Sequence, residues 1–471
     1  MTEMKSGSRG PTDSFASTQT TTTDTPIVQE SSTKQRRKVL ISSFLGSMVE
    51  YYDFLLYGAA AGLVFPHLFF DDQMSPFVGM ILSYTILFAG YLARPVGGLI
   101  FGHFGDRYGR KNVLLITLIG MGIVSVAIGL LPTYATIGIA APIILVILRV
   151  IQGIAVGGEW AGATLMAAEH AKAQSRGFAA SVAVSGAPAG AVLSTLVLAI
   201  FSGLPEEQFM SWGWRVPFLL SALLVVIGLY MRYSLAESPE FEAARQSGHI
   251  KTGVPLKRIF SRYPKQTILS SLAITAPLFM QALMAVFIVP YVVSTGAIEQ
   301  QQALMLLTFS AFVHIFAIPF FAWLSDRFGR RRTMLCAAVL SIALIFPMFA
   351  AFNSGNTFLI ALGFILGNPI IQASMYGPVG AFLADKYAPQ DRYTGVSVSY
   401  QLGSVLGAGL APLISTALVE LSNGWGSSNI AIYFIFLAVV AAVSVWFVER
   451  KENNIVLTKT TTEPAPVSAN S

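Results

Sequence analysis

Glu50, Asp53, Arg94, Arg149 and Glu159 stand inside long apolar stretches of this 471-residue chain, and His314 stands inside another. An ionisable side chain is costly in hydrocarbon, so residues of this kind mark a binding or proton-transfer site, or ion pairs that tie helices together. The chemistry open to such a set is specific. Desolvation and a neighbouring arginine pull a carboxylate's proton affinity in opposite directions, so the carboxylate can exchange its arginine for a proton. The released arginine can take an anionic solute, and by reciprocal linkage the solute then favours protonation. Arginine suits a carboxylate because its guanidinium stays charged and presents a two-pronged donor. Tyr57, one turn beyond Asp53, joins this candidate set.

The later apolar stretches hold no Asp or Glu. Their mid-depth polar groups are Gln281, His314, Asn368, Gln372, Tyr376, Tyr400 and Gln401. Each can hydrogen-bond a solute hydroxyl or carboxylate, and each can equally serve as an interhelical bond. His314 is open to both a proton-carrying and a structural role.

The elements that must position these residues follow from composition. The chain is 54% hydrophobic and 11% charged, against about 25% charged in a soluble domain. That balance requires a membrane. Twelve stretches reach the roughly 20 apolar residues a span needs: 39–65, 77–104, 112–131, 139–166, 179–202, 214–234, 266–293, 303–324, 334–352, 357–384, 394–419 and 428–448. Lysine and arginine fall only in every second connection. They cluster at Lys34 to Lys38, at Arg107 to Lys111, at Lys172 and Arg176, through 245–265, at Arg327 to Arg332, at Lys386 and Arg392, and after Arg450. The alternate connections carry Asp71, Asp72, Glu206, Glu207, Glu299 and Glu420 instead. Positive charge stays inside, which predicts two cytoplasmic termini in a bacterial plasma (inner) membrane. The formal charge of +6 is topological and implies no nucleic acid.

At about 1.5 Å per residue, Asp53 lies roughly 20 Å from the cytoplasmic edge, Glu50 and Arg94 about 15 Å, Arg149 about 25 Å and Glu159 about 10 Å. All five are expected to converge on one polar interior. Residues 1–38 read as a disordered tail with no secretory signal, 235–265 as a cytoplasmic linker, and 451–471 as a second tail. The single cysteine, Cys336, excludes internal disulfides, zinc clusters and iron–sulfur sites, and no cofactor or metal is expected.

The segment GHFGDRYGRK (102–111) returns as AWLSDRFGRRR (322–332), with Ala322 in place of Gly102. A second echo pairs Glu169 with Asp385, each seven residues before an arginine, Arg176 and Arg392. Two six-span bundles, 39–234 and 266–450, therefore repeat in the same orientation, with a solute site between them at mid-depth. The repeated segment reads as a gate. Gly102 and Gly109 allow tight turns, Asp106 can accept hydrogen bonds from a helix end, and Arg107 and Arg110 can pair with Glu169. Asp326, Arg327, Gly329, Arg330 and Asp385 form the second copy. The pairs should exist only while the cytoplasmic face is closed.

VEYYDFLLYG (49–58), LARPVGGLIFGHFGDRYGRK (92–111), LRVIQGIAVGGEWAGA (148–163) and SWGWRVPF (211–218) together resemble the metabolite:proton symporter branch of the major facilitator superfamily. SLAESPEF (234–241) and RYTGVSVSYQLGSVLGAGLAP (392–412) extend the resemblance over about 39–450. It implies an all-α polytopic membrane protein, with twelve transmembrane helices in two pseudo-symmetric six-helix bundles. It implies proton-coupled symport of a small organic acid, with Arg94 binding a carboxylate and Asp53 or Glu50 in the proton–substrate region. Shikimate-type members look most similar. A zwitterionic osmolyte such as proline or betaine, or a di- or tricarboxylate, stays open as the solute. The short, Thr-rich residues 452–471 lack the heptads of osmosensing members. Partners are the solute, protons and the lipid bilayer, and a monomer is expected. No nucleophile–base pair or phosphate-binding loop is present, so neither an enzyme nor an ATP-driven pump is expected.

Overall fold

The computed structural model describes residues 33–450 apart from 72, 109, 170, 172, 234–254, 389–390 and 423–425. Most of the expected tails and linker thus lies outside the described residues. Among the described residues there is no strand. Eleven helices are long and apolar enough to span a bilayer, and a bent pair, Glu206–Gly213 with Arg215–Tyr230, makes the twelfth. The others are Val39–Leu63, Phe77–Phe101, Asn112–Leu130, Ala140–Ala168, Arg176–Ser202, Pro264–Ser294, Gln300–Phe328, Arg330–Phe352, Thr357–Ala384, Arg392–Glu420 and Gly426–Val448. They are called spans 1 to 12 in chain order. The fold is the expected all-α, twelve-helix one.

Span 6 departs from the expected 214–234 by starting earlier, with a 41° bend at its break. Local chemistry explains the bend. Trp214 is buried against the rings of Phe65, Phe69 and Phe218. Arg215 turns away and donates to the carbonyls of Gly129 and Leu131 at 2.9 and 2.7 Å. The carbonyl groups at the end of span 3 are thereby satisfied by a side chain. The expected linker also contains order, because Pro255–Arg262 forms a helix whose Ile259 is fully buried.

Spans 5, 9 and 11 begin at Arg176, Arg330 and Arg392, while span 11 ends at Glu420. The two faces of the bundle are accordingly called the basic and the acidic end.

Spans 2 and 4 touch backbone to backbone. A Cβ on Gly97 would fall on the carbonyl oxygen of Ile154, one on Gly153 on that of Gly90, and one on Gly157 on that of Arg94. Small residues let helices approach this closely in a bilayer, where dispersion and not the hydrophobic effect holds them. That contact sets the position of Arg94.

Three spans of the second half contain π-helical turns, at Leu283–Phe287, Leu366–Gln372 and Val405–Gly409. Such turns insert one residue into an α-helical ladder and concentrate at functional sites.

Candidate functional site

Each residue of span 1 turns the helix by about 100°, so Tyr51, Phe54, Leu55 and Gly58 share one face. That face meets span 7, and a Cβ on Gly58 would lie 2.8 Å from a methyl of Val286. Asp53, two residues from Tyr51, is turned roughly 200° away.

A small cavity opens where the halves meet. Tyr51, Phe54 and Arg94 line it from the first half, and Gln281, Tyr400 and Ser404 from the second. A second cavity shares Leu55 and Gln281 with the first and is bounded by Thr195, His314 and Asn368. Their volumes are about 10 and 30 Å³, room for one or two waters. The conformation is therefore closed, and a solute enters only when the halves separate.

Arg94 is 4% exposed, with its guanidinium 3.9 Å from the Phe54 ring centre and 4.5 Å from that of Tyr91. Its Nε has no hydrogen-bond partner among the described residues. Arg149 is fully buried behind Phe54, with its guanidinium 4.1 Å from the Phe54 and Tyr57 ring centres. Two cations thus bracket one aromatic ring. A desolvated contact of this kind contributes about 2 kcal/mol.

Arg149 donates to Gln152 at 2.5 Å, and Gln152 donates to Ser125 Oγ at 3.1 Å. Ser221 donates to the Asp53 carboxylate, and Ser125 lies close beside it. The chain Arg149–Gln152–Ser125 thus ends beside Asp53, and Asp53 does not line the cavity. Glu159 is fully buried just after the break at Gly157 and Gly158, close enough to Asp53 for their charges to interact. Glu50 lies on the basic side of the cavity, within electrostatic reach of Tyr51 and Tyr376. The five charges thus divide between the cavity region (Glu50, Arg94) and the interior of the first half (Asp53, Arg149, Glu159).

In the second half, His314 Nε2 meets Gln372 Oε1 at 2.6 Å, and Asn368 Nδ2 donates to Ser310 at 2.9 Å. Gln281, His314, Asn368 and Tyr400 line the cavities, whereas Gln372 stands behind His314. Tyr376 lies towards the basic end.

Below the cavity the halves are fastened in successive layers. The Trp160 ring stacks on Tyr400 at 3.7 Å and 8°, and its Nε1–H donates to Tyr376 OH at 3.1 Å. Tyr400 OH meets Tyr376 OH at 2.8 Å and Tyr51 OH at 3.0 Å. Next, Gln401 Nε2 donates to the Gly157 carbonyl at 2.8 Å and Tyr393 OH to that of Gly158 at 2.7 Å. Outermost, the Phe178 N–H donates to Asp326 Oδ2 across the halves at 2.9 Å, while within the second half Arg330 pairs with Asp385 and also reaches the Ala381 carbonyl at 3.2 Å. Gly329 turns the chain with φ +92°, a left-handed value open to glycine. Arg327 is exposed and lies over Trp323 and Phe328. The side chains of Gly102, Asp106, Arg107, Arg110 and Glu169, and all of Gly109, lie outside the described residues.

Trp160→Ala removes the ring under Tyr400 and the donor to Tyr376 at once. The basic end should then open more often, raising the labelling rate of a cysteine placed at Ser404 by a water-soluble thiol reagent. An unchanged rate would show that the ring stack does not hold the halves together.

Sequence reasoning missed Tyr51, Phe54, Tyr91 and Trp160 because uncharged rings carry no cost signal in lipid. The i, i+3, i+4, i+7 spacing of Tyr51, Phe54, Leu55 and Gly58 was the available clue.

Comparison with known proteins agrees with the twelve-helix fold. Residues 38–252 match the model of the sugar (and other) transporter family, and 269–470 that of the Major Facilitator Superfamily. An inner membrane metabolite transport protein of Escherichia coli is 39% identical over 86% of this chain and 92% of its own. The shikimate transporter of the same organism is 36% identical over 88% and 94%. Its proline/betaine transporter is 32% identical over 86% and 81%. Among solved structures, a proton:xylose symporter bound to a halogenated sugar shares the fold at a TM-score of 0.68 and 16% identity, over 89% of this chain and 96% of that one.

Proposed function

Because this chain belongs to the major facilitator superfamily and is a membrane transporter of small solutes, we propose that it carries a small organic carboxylate together with protons by alternating access. The observation behind this reading is Arg94. Its guanidinium is held between two rings at the wall of the small interface cavity, with a nitrogen unpartnered among the described residues, facing Gln281, Tyr400 and Ser404 of the other half. A carboxylate arriving there gains a charge-assisted bond and brings the halves into contact across itself. Glu50 beside the interface and Asp53 beside the Arg149–Gln152–Ser125 chain are the proton-accepting groups. Glu50 and Arg94 act on the same side chain, Tyr51, so a proton taken up there and a solute bound there influence one another, which is the condition for coupling.

The basic end is the cytoplasmic one under the positive-inside rule, with both termini on the cytoplasmic side of a bacterial plasma membrane, and the protein acts as a monomer. The closed basic end is then the cytoplasmic gate, with Asp326, Arg330 and Asp385 as its outer latch.

Reconstituted vesicles offered labelled organic acids, shikimate among them, and betaine under an imposed inward proton gradient test this reading. Accumulation of a carboxylate that a protonophore abolishes is the expected result. Uptake that ignores the protonophore and follows a sodium gradient would overturn proton coupling, and uptake of betaine alone would replace the organic acid by a zwitterion.

A further inference from the structure

Away from the interface, spans 8, 9 and 10 leave a groove of about 570 Å³ on the outer face of the bundle. Phe321, Leu324 and Phe328 form one wall, Cys336 and Leu340 the other, and Ser374 the floor. Arg332 closes its mouth and is exposed. The surface around it belongs to spans, and Phe316, Phe320 and Val339 present 63%, 54% and 69% of their area there. That surface faces lipid.

The charges at the mouth are not equivalent. Arg330 is engaged by Asp385 and Asp326, and Arg331 lies 4.0 Å from the Trp446 ring centre. Arg332 alone of the three lines the groove. Arg327 stands beside it, over the rings of Trp323 and Phe328. From Arg332 to Leu340 the groove follows eight residues of helix, roughly 12 Å. One leaflet offers about 15 Å of hydrocarbon. The groove therefore has the length of an acyl chain within one leaflet, with a guanidinium at headgroup depth.

We propose that this groove binds an anionic glycerophospholipid of the leaflet at the basic end, its phosphate on Arg332 and one acyl chain along Cys336 and Leu340. An arginine fork matches phosphate oxygens in geometry and charge, and an apolar channel beside it accepts the chain that a soluble anion lacks. The proposal is independent of which solute is transported.

Cys336, the one cysteine of the chain, is exposed in the groove and serves as a built-in reporter. The unmodified protein is placed in nanodiscs of phosphatidylcholine, with or without phosphatidylglycerol, and the rate of Cys336 alkylation by a lipophilic maleimide is followed. Phosphatidylglycerol should slow alkylation roughly fivefold, the factor expected for one arginine at an anionic surface. Arg332→Gln should abolish the difference, and Arg331→Gln, which lies off the groove, should keep it. Equal rates in the two lipids would overturn the proposal. So would a difference that survives Arg332→Gln, which would reflect surface charge alone. If Arg332→Gln melts early, native mass spectrometry of the unmodified protein from mixed lipid decides instead: preferential retention of phosphatidylglycerol supports the site, and retention equal to that of phosphatidylcholine rejects it.

Discussion

Arg94→Lys is expected to weaken binding of the carboxylate solute by roughly 30- to several-thousand-fold, although the charge is kept. Truncating a desolvated, charged contact costs about 2–5 kcal/mol, and each 1.4 kcal/mol or so is tenfold. Lysine fails here on two counts. It is a point charge without a planar fork, and it cannot lie flat between Phe54 and Tyr91 as the guanidinium does at 3.9 and 4.5 Å. Arg149→Lys offers the contrast. Arg149 is buried behind Phe54 and leads through Gln152 and Ser125 to the side of Asp53, so its replacement should impair proton dependence and melting more than solute affinity. Direct binding on folded, purified variants separates the two. Unchanged affinity in Arg94→Lys would leave Arg94 a structural residue and remove the basis of the proposed solute site.

Gly157→Val should be among the most damaging substitutions of a small residue. The new side chain would occupy the place of the Arg94 carbonyl and crowd the Gly97–Gly98 backbone, so no rotamer can relieve it. Spans 2 and 4 must separate, at about 3 kcal/mol or more. The same shift moves Arg94, and it moves the Gly157 carbonyl that Gln401 grips across the interface at 2.8 Å. Folded yield, melting temperature and solute binding should fall together. Gly120→Ala is the matched control, because its Cβ would meet only Ala155, at a comfortable 3.7 Å. It should be neutral or stabilising by about 0.4–1 kcal/mol. A Gly157→Val protein that melts like the parent would contradict the backbone contact between spans 2 and 4.

The spans were legible because lipid makes two demands at once, apolar length and sided charge, and both leave marks in sequence. The one boundary that departed, at span 6, turns on Trp214 and Arg215 finding partners in other spans, which no local pattern records. At the site, residue types were easier to read than their directions. Charges stand out in an apolar stretch, so Arg94 and Asp53 were visible. Depth alone then suggested that five charges converge, whereas helical phase separates them: Asp53 and Tyr51 are two residues apart and point to opposite sides of span 1. The proximity of the Arg149 chain to Asp53 was hidden for a different reason. Its intermediates, Gln152 and Ser125, are ordinary polar residues whose meaning comes only from three spans being brought together.

The π-helical turns in spans 7, 10 and 11 bear on how this site could be changed over evolutionary time. Each adjoins or contains a cavity residue: Leu283–Phe287 follows Gln281, Leu366–Gln372 contains Asn368, and Val405–Gly409 follows Ser404. An inserted residue alters span length by only about 1.5 Å yet rotates all that follows by about 100°. Gain or loss of a single codon there would present a new row of side chains to the solute without altering one of them, and without touching the charges of the first half. The second half can thus be retuned by slipping its helices round, like the rings of a combination lock, while the first keeps its arginines and carboxylates in register.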